Sequence, residues 1–271
     1  KMNDPNILVE VKGLRKSFGP LTVMDDLDFS LFKGENVAIL GQSGSGKSVL
    51  LKVIIGLLEP DEGEVFLWGR RISELDDGEL NKVRRKMGMV FQSGALFDSM
   101  TVFENLAFPL VEHGFDDEEA LREVVKERLE WVSLPGVEDK YPSELSGGMR
   151  KRVALARTLA ADPELILYDE PTTGLDPLNS RKISSMIHEI DKRVKSTSIV
   201  VTHDLDCARK VAGRWCYLSG GKILADGTPD ELFESSHEEV RSFLRGVAPS
   251  TENQGRDSRD VPGKTTSRGA E

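Results

Sequence analysis

An α/β fold built on a parallel sheet, with a phosphate-binding loop between one strand and a helix, is predicted by three observations. The apolar run Val37-Ala38-Ile39-Leu40 leads into Gly41-Gln42-Ser43-Gly44-Ser45-Gly46-Lys47-Ser48, and the apolar stretch Val49 to Ile55 follows, broken only by Lys52. Strand, glycine-rich loop, then helix is the context such a loop requires. A second run, Leu165-Ile166-Leu167-Tyr168, is apolar throughout and ends in Asp169-Glu170. Unbroken apolar strands belong to sheets covered on both faces. Between the two runs, from Ser93 to Ala161, the pattern turns helical.

Taken in order, Ile7-Leu8-Val9-Glu10-Val11 reads as a strand, Ser17-Phe18-Gly19-Pro20 as a turn, and Phe29-Ser30-Leu31 as extended chain again. Strand signals on both sides of the loop predict a β-rich layer beside the nucleotide. Pro60-Asp61-Glu62-Gly63 is a turn signal expected to end the loop's helix, with strands at Glu64 to Trp68 and at Met87 to Phe91, the latter ending at Gln92. Thr101-Val102-Phe103-Glu104 is a capping box opening a short helix that should stop before Pro109. Asp116 to Glu119 offers another cap, and Leu121, Val124, Val125, Leu129 and Val132 recur at helical spacing. A further helix is expected from about Gly148 to Ala161, and another near Ser180 to Lys192, followed by a strand at Ser198 to Thr202. Trp215 to Leu218 and Lys222 to Ala225 form a hairpin across Ser219-Gly220-Gly221, and two short helices lie between Pro229 and Pro249. Beyond Ala248 almost nothing is apolar, so that tail is expected to stay disordered unless a partner orders it.

The loop's chemistry follows from its residue types. Gly41, Gly44 and Gly46, with Ser43 among them, let the backbone curl until successive N–H groups face one phosphate. The helix starting near Lys47 adds free N–H groups and the positive end of its dipole. Lys47 should reach the β- and γ-phosphates and Ser48 should ligate Mg²⁺. Asp169 and Glu170 close a strand, where ligands bind in open α/β sheets. Asp169 suits a Mg²⁺ shell, and Glu170 is placed to polarise an attacking water as general base. Two solvated acids at a strand end is the plainer alternative for that pair.

Leu145-Ser146-Gly147-Gly148-Met149, placed before Asp169-Glu170, resembles the signature motif of ATP-binding cassette (ABC) ATPases. Gln92 resembles their Q-loop, Gly174-Leu175-Asp176 their D-loop and His203 their switch histidine, all in family order from Phe18 to His203. One departure is Met149, where the family usually has glutamine. The resemblance implies a P-loop NTPase of the ABC ATPase type. It would have a RecA-like core, an antiparallel β subdomain and a helical subdomain at about 93–161, within a domain spanning 7–246, with a polar tail at 247–271. It implies ATP hydrolysis with Mg²⁺ held by Ser48, Gln92 and Asp169. Glu170, His203 and Gln92 would be catalytic, and Phe18 would stack on adenine or else be plain core. It also implies a head-to-tail dimer in which Ser146, Gly147 and Gly148 contact the γ-phosphate held by the other copy, with Asp176 of the D-loop as a further nucleotide-binding residue. Arg150, Lys151 and Arg152 either support that phosphate field or form a solvated helix face.

The segment from Ser93 to Leu110 is where family members receive a membrane subunit, and Phe97, Phe103 and Phe108 either line a docking groove or build the subdomain's own core. Its wording, with Ser143-Glu144, Tyr168-Asp169-Glu170-Pro171-Thr172-Thr173-Gly174 and the ending from Gly227-Thr228-Pro229 to Phe243-Leu244, resembles the ATPases of Mla/Mce-type phospholipid transporters. That resemblance implies permease subunits docking near 93–110, together with a small regulatory subunit and a lipid-binding MCE subunit. It places the chain at the cytoplasmic face of the inner membrane. An amino-acid or lipoprotein transporter ATPase would share the catalytic motifs. A non-transport ATP-gated clamp would more often carry two cassettes or a coiled coil. The net charge of −10 argues against a phosphate-backbone binder, so no nucleic acid is expected. Two cysteines without a CxxC pair and no signal peptide predict a reducing, cytosolic compartment. No apolar run approaches the roughly 20 residues that cross a bilayer.

Overall fold

The structure is a computed structural model that describes residues 6–246; the tail expected to be disordered lies outside the described residues. Two sheets divide the chain. The first is antiparallel and combines β1 (Ile7–Phe18), β2 (Leu21–Phe32), β4 (Glu62–Leu67) and the short β5 (Arg70–Arg71) in the order β2-β1-β4-β5. The second has six strands: β3 (Asn36–Leu40), β6 (Met87–Val90), β7 (Leu165–Asp169), β8 (Thr197–Thr202), β9 (Arg214–Ser219) and β10 (Lys222–Gly227). Its order is β10-β9-β3-β8-β7-β6, parallel throughout except for the β9–β10 hairpin.

The apolar strands feed two cores at once, because successive side chains point to opposite faces. Ala38, Leu40, Ile166, Tyr168 and Val200 enter one cluster with the helices. Val37, Ile39, Leu165, Leu167, Ile199 and Val201 enter the other, beneath the antiparallel sheet. A one-residue slip would exchange the two sets, so the register is strongly specified. This is why β7 needs apolar residues at every position, each worth ~1.5–3 kcal/mol of burial for Leu or Ile.

Strands β1 and β2 run 12 residues each, longer than the alternation predicts. Lys12, Arg15 and Lys16 interrupt the pattern, and register irregularities between Val11/Leu14 and Lys16/Ser17 let the ladder continue past them. Helix α1 (Lys47–Ile54) stops well before the turn at Pro60. Gly56 at φ +72 reverses the chain, and Arg84 donates to the carbonyls of Ile55 and Gly56, at 3.1 and 2.6 Å, which the helix end leaves unpaired.

Helix α2 (Asp77–Arg84) was not expected, although Asp76 and Glu79 form a full capping box. Helix α3 (Val102–Glu112) opens on its predicted box but runs through Pro109 rather than stopping before it. Proline there forgoes one N–H bond near the helix end. The buried residues Val102, Leu106 and Ala107 and the partly buried Leu110 keep the last turn packed on the core. Helix α4 (Glu118–Trp131) and helix α5 (Gly147–Leu159) appear as predicted within two residues. Helix α6 (Pro177–Val194), the short α7 (Leu205–Val211), α8 (Pro229–Phe233) and α9 (Glu238–Arg245) complete the chain. Among the described residues, no helix is long and apolar enough to cross a membrane.

Candidate active site at the strand ends

Parallel pairing sets the carboxyl ends of β3, β8 and β7 side by side, and each opens into a segment of the predicted site. After β3 comes the glycine-rich loop. Gly46 has φ +98, and a Cβ there would lie 2.7 Å from Val23 Cγ1 and 2.8 Å from Met24 Cε, so the loop and β2 approach too closely for any side chain. Gly41 is equally restricted: a Cβ would run into the Leu218 carbonyl. Ser43 and Gly44 face solvent at the loop's crest. Lys47, only 5% exposed, donates to the carbonyl oxygens of Gly41 at 3.0 Å and Gln42 at 2.9 Å, which fixes its ammonium over the loop.

The acids of β7 meet this loop across β8. The Ser48 hydroxyl donates to Asp169 Oδ1 at 2.6 Å, and Lys47 Nζ lies 3.5 Å from Glu170 Oε1. Burial raises Asp169 above the usual carboxylate range, against the Ser48 hydrogen bond, and the Glu170 charge adds to the rise. Glu170 takes φ +49, a conformation that costs a non-glycine residue about 1 kcal/mol or more. Its N–H donates to the Val201 carbonyl at 2.9 Å, which holds the strained turn against β8. The strain aims the carboxylate between Lys47 and His203, whose Nδ1 is 2.9 Å from Glu170 Oε2. With a carboxylate as acceptor, Nδ1 carries the proton and leaves Nε2 toward solvent. Thr173 Oγ1 also donates to Glu170 Oε2, at 3.1 Å.

So Gly41, Gly46, Lys47, Ser48, Asp169, Glu170 and His203 form one connected group. Gln92 sits on the exposed turn just past β6, whose Val90 pairs with Tyr168 beside the acids. Phe18 closes β1 at 47% exposure, with Lys16 Nζ 5.7 Å from its ring, so it is not core. Ser146 caps α5, its Oγ accepting from Met149 N–H at 3.3 Å, while Ser146 and Gly147 are exposed. Met149 packs against the helical core, which explains an apolar residue at that position. A Cβ on Gly148 would lie 3.9 Å from Asn179, which donates to Asp176 Oδ2 at 2.5 Å. Asp176 caps α6 through the N–H groups of Leu178 and Asn179, and these bonds hold its carboxyl below the usual range.

The three basic residues after the signature turn also hydrogen-bond to backbone carbonyls, Arg150 while remaining exposed and Lys151 and Arg152 while partly buried. Lys151 donates to the carbonyls of Pro171, at 3.1 Å, and Thr173, fastening the loop behind Glu170. Arg150 donates to Leu145 O at 2.9 Å, and Arg152 to the carbonyls of Val132 and Ser133, both at 3.2 Å. Sequence reasoning also missed Asn105, fully buried. Its amide donates to the carbonyls of Phe97, Met100 and Thr101 and accepts from Phe97 N–H, folding the loop beyond Gln92. An asparagine among apolar residues in α3 was the available signal.

Residues 24–173, from β2 through the loop to the turn after Glu170, match the family model described as ABC transporter. The chain belongs to that family. It is therefore an ATP-binding cassette, an ATP-hydrolysing subunit. The intermembrane phospholipid transport system ATP-binding protein MlaF of Haemophilus influenzae is 44% identical over 88% of this chain and 90% of its own length. The probable ribonucleotide transport ATP-binding protein mkl of Mycobacterium leprae is 43% identical over 89% of this chain and 69% of that protein. A dimeric ATP-binding cassette solved in a post-hydrolysis state with ADP and Pi is 36% identical, covering 82% of this chain and 98% of that one at a TM-score of 0.75. The cassette fold predicted from the sequence is thus the fold observed.

Proposed function

We propose that this cassette powers a phospholipid transporter, working as a head-to-tail dimer beneath membrane-spanning subunits at the cytoplasmic face of the inner membrane. The carrying observation is the Lys47–Glu170–His203 group beside Ser48–Asp169. Residues 7–246 form the ATPase domain, with 93–161 as its helical subdomain. Lys47 and the loop amides bind the phosphates, and exposed Phe18 stacks on adenine. Glu170 takes a proton from the attacking water, and His203, donating through Nδ1, keeps its carboxylate oriented. Gln92 would reach Mg²⁺ and the attacking water from the turn beside β7.

Mg²⁺ fits the residues present. Ser48 Oγ and Asp169 Oδ1, 2.6 Å apart, are adjacent hard oxygen donors next to the phosphate loop. Among the described residues no group of three His, Cys, Asp or Glu could cage a metal alone. That suits an ion held by one carboxylate plus substrate phosphates. When bound, it neutralises phosphate charge; Ser48, Asp169 and Gln92 would hold it.

Ser146, Gly147 and Gly148 present a capped helix start to solvent rather than to their own phosphate loop, as a trans contact requires. The dimeric cassette with ADP and Pi supports that reading. Phe97 and Phe108 are 42% and 37% exposed with ring centroids 5.0 Å apart, whereas Phe103 packs on the core. Only the first two remain for a permease groove. The name of the MlaF relative supports phospholipid as cargo; a small regulatory subunit and a lipid-binding MCE subunit are proposed on the sequence resemblance alone. Isolating the complex from native membrane and analysing its lipids and subunits tests the assignment. A complex with no phospholipid enriched over the surrounding membrane would favour the ribonucleotide reading carried by the name of mkl.

A further inference from the structure

Asp191 lies near the C-terminal end of α6 and is 4% exposed. Its carboxylate accepts three hydroxyl hydrogen bonds. Tyr168 Oη and Ser196 Oγ donate to Oδ1 at 3.2 and 3.0 Å, and Ser198 Oγ donates to Oδ2 at 3.1 Å. All four residues are buried, Tyr168 and Ser198 completely. A buried carboxylate without a cationic partner is costly, so its retention calls for a reason beyond packing. Burial pushes Asp191 up to about 6, with the three hydroxyls opposing the rise.

The donors come from the elements that carry the chemistry. Tyr168 directly precedes Asp169 and Glu170 on β7. Ser198 stands on β8, which ends one residue before His203. Asp191 itself belongs to α6, whose N-cap is Asp176. A rigid helix spans the 15 residues between them, about 22 Å at 1.5 Å per residue. One carboxylate thereby ties the end of β7 beside Glu170 to the start of β8 and the C-terminal end of α6, two elements whose opposite ends lead to His203 and Asp176.

We propose that Asp191 is a positioning residue, which sets β7, β8 and α6 in the relative placement that aligns Glu170 and His203 with the D-loop. This rests on the proposed roles of those residues. It acts through the backbone and does not touch nucleotide. Displacing the Glu170–His203 pair then slows turnover without weakening ATP binding, because the phosphate loop hangs from β3, whose residues make none of these hydrogen bonds.

The test uses the full chain with ATP and Mg²⁺, measuring kcat, ATP affinity and Tm for Asp191→Asn, Tyr168→Phe, Ile187→Val and Glu170→Gln. Asp191→Asn keeps volume and one acceptor oxygen. It should lower kcat by roughly 10-fold or more with ATP affinity unchanged, since a misplacement near 1 Å can cost about 10²-fold. Ile187→Val loosens the same helix without touching the carboxylate and should keep its kcat. Should Asp191→Asn fail to fold, Tyr168→Phe decides by the same criterion. A wild-type kcat in the deciding variant, or slowing no greater than that of Ile187→Val at equal loss of Tm, overturns the proposal. Full activity in Glu170→Gln would instead overturn the site assignment beneath it.

Discussion

At the strand ends, Lys47, Ser48, Asp169, Glu170 and His203 already touch within one chain. At the start of α5, Ser146, Gly147 and Gly148 touch none of them; Ser146 Oγ accepts from Met149 N–H, and Gly148 faces Asn179. Both regions use the same anion logic, a serine and glycines at a helix N-terminus. The first is braced by a buried lysine and two acids. The second is a capped turn facing solvent. In the proposed head-to-tail dimer, the second region of one copy would complete the phosphate site of the other.

The largest effect should come from the braced region. Glu170→Gln is expected to slow hydrolysis by about 10²–10⁴-fold while ATP still binds, the usual worth of a general base. An ATP-bound dimer should accumulate on gel filtration; near-normal turnover would mean that another group activates the water. Lys47→Ala should weaken ATP binding by about 10–100-fold, from the loss of charge-assisted bonds worth ~1.5–3 kcal/mol. A titration with unchanged affinity would remove Lys47 from phosphate binding.

The contrast itself is sharpened by mixing. Lys47→Ala and Ser146→Arg should each be inactive alone, yet an equal mixture should recover about a quarter of wild-type turnover. Random pairing makes half the dimers mixed, and each of those keeps one intact site. No recovery would place the signature turn in cis.

The smallest effect is in stability. Asp191 is raised to about 6 from an ordinary value of 3.8. A raised carboxyl contributes stability that is full below about pH 3.8 and lost as pH rises through about 6. Wild-type protein should therefore gain stability relative to Asp191→Asn on acidification across that window, by on the order of 3 kcal/mol at most. Melting both proteins at about pH 5 and about pH 7.5 measures it; a pH-independent difference in Tm would mean that the carboxyl titrates normally.

The sequence by itself determined the sheet's two-faced strands, the glycine-rich loop, the capping box at Thr101 and the acids at the end of β7. Each rests on local chemistry: an apolar run, a φ only glycine accepts, a side chain three residues from the N–H it caps. It also offered candidate site residues, because motif spacing survives without coordinates. Only the tertiary structure decided that α3 continues through Pro109, since distant core contacts outweigh one missing hydrogen bond. It also decided which aromatics stay outside, Phe18, Phe97 and Phe108 but not Phe103. Lys151 behind Glu170 and Asp191 beneath Tyr168 were illegible for the same reason. Their partners lie 20 and 22 residues away and 23 residues away respectively, and no local pattern records which backbone carbonyl or hydroxyl a side chain will meet once the sheet has brought them together.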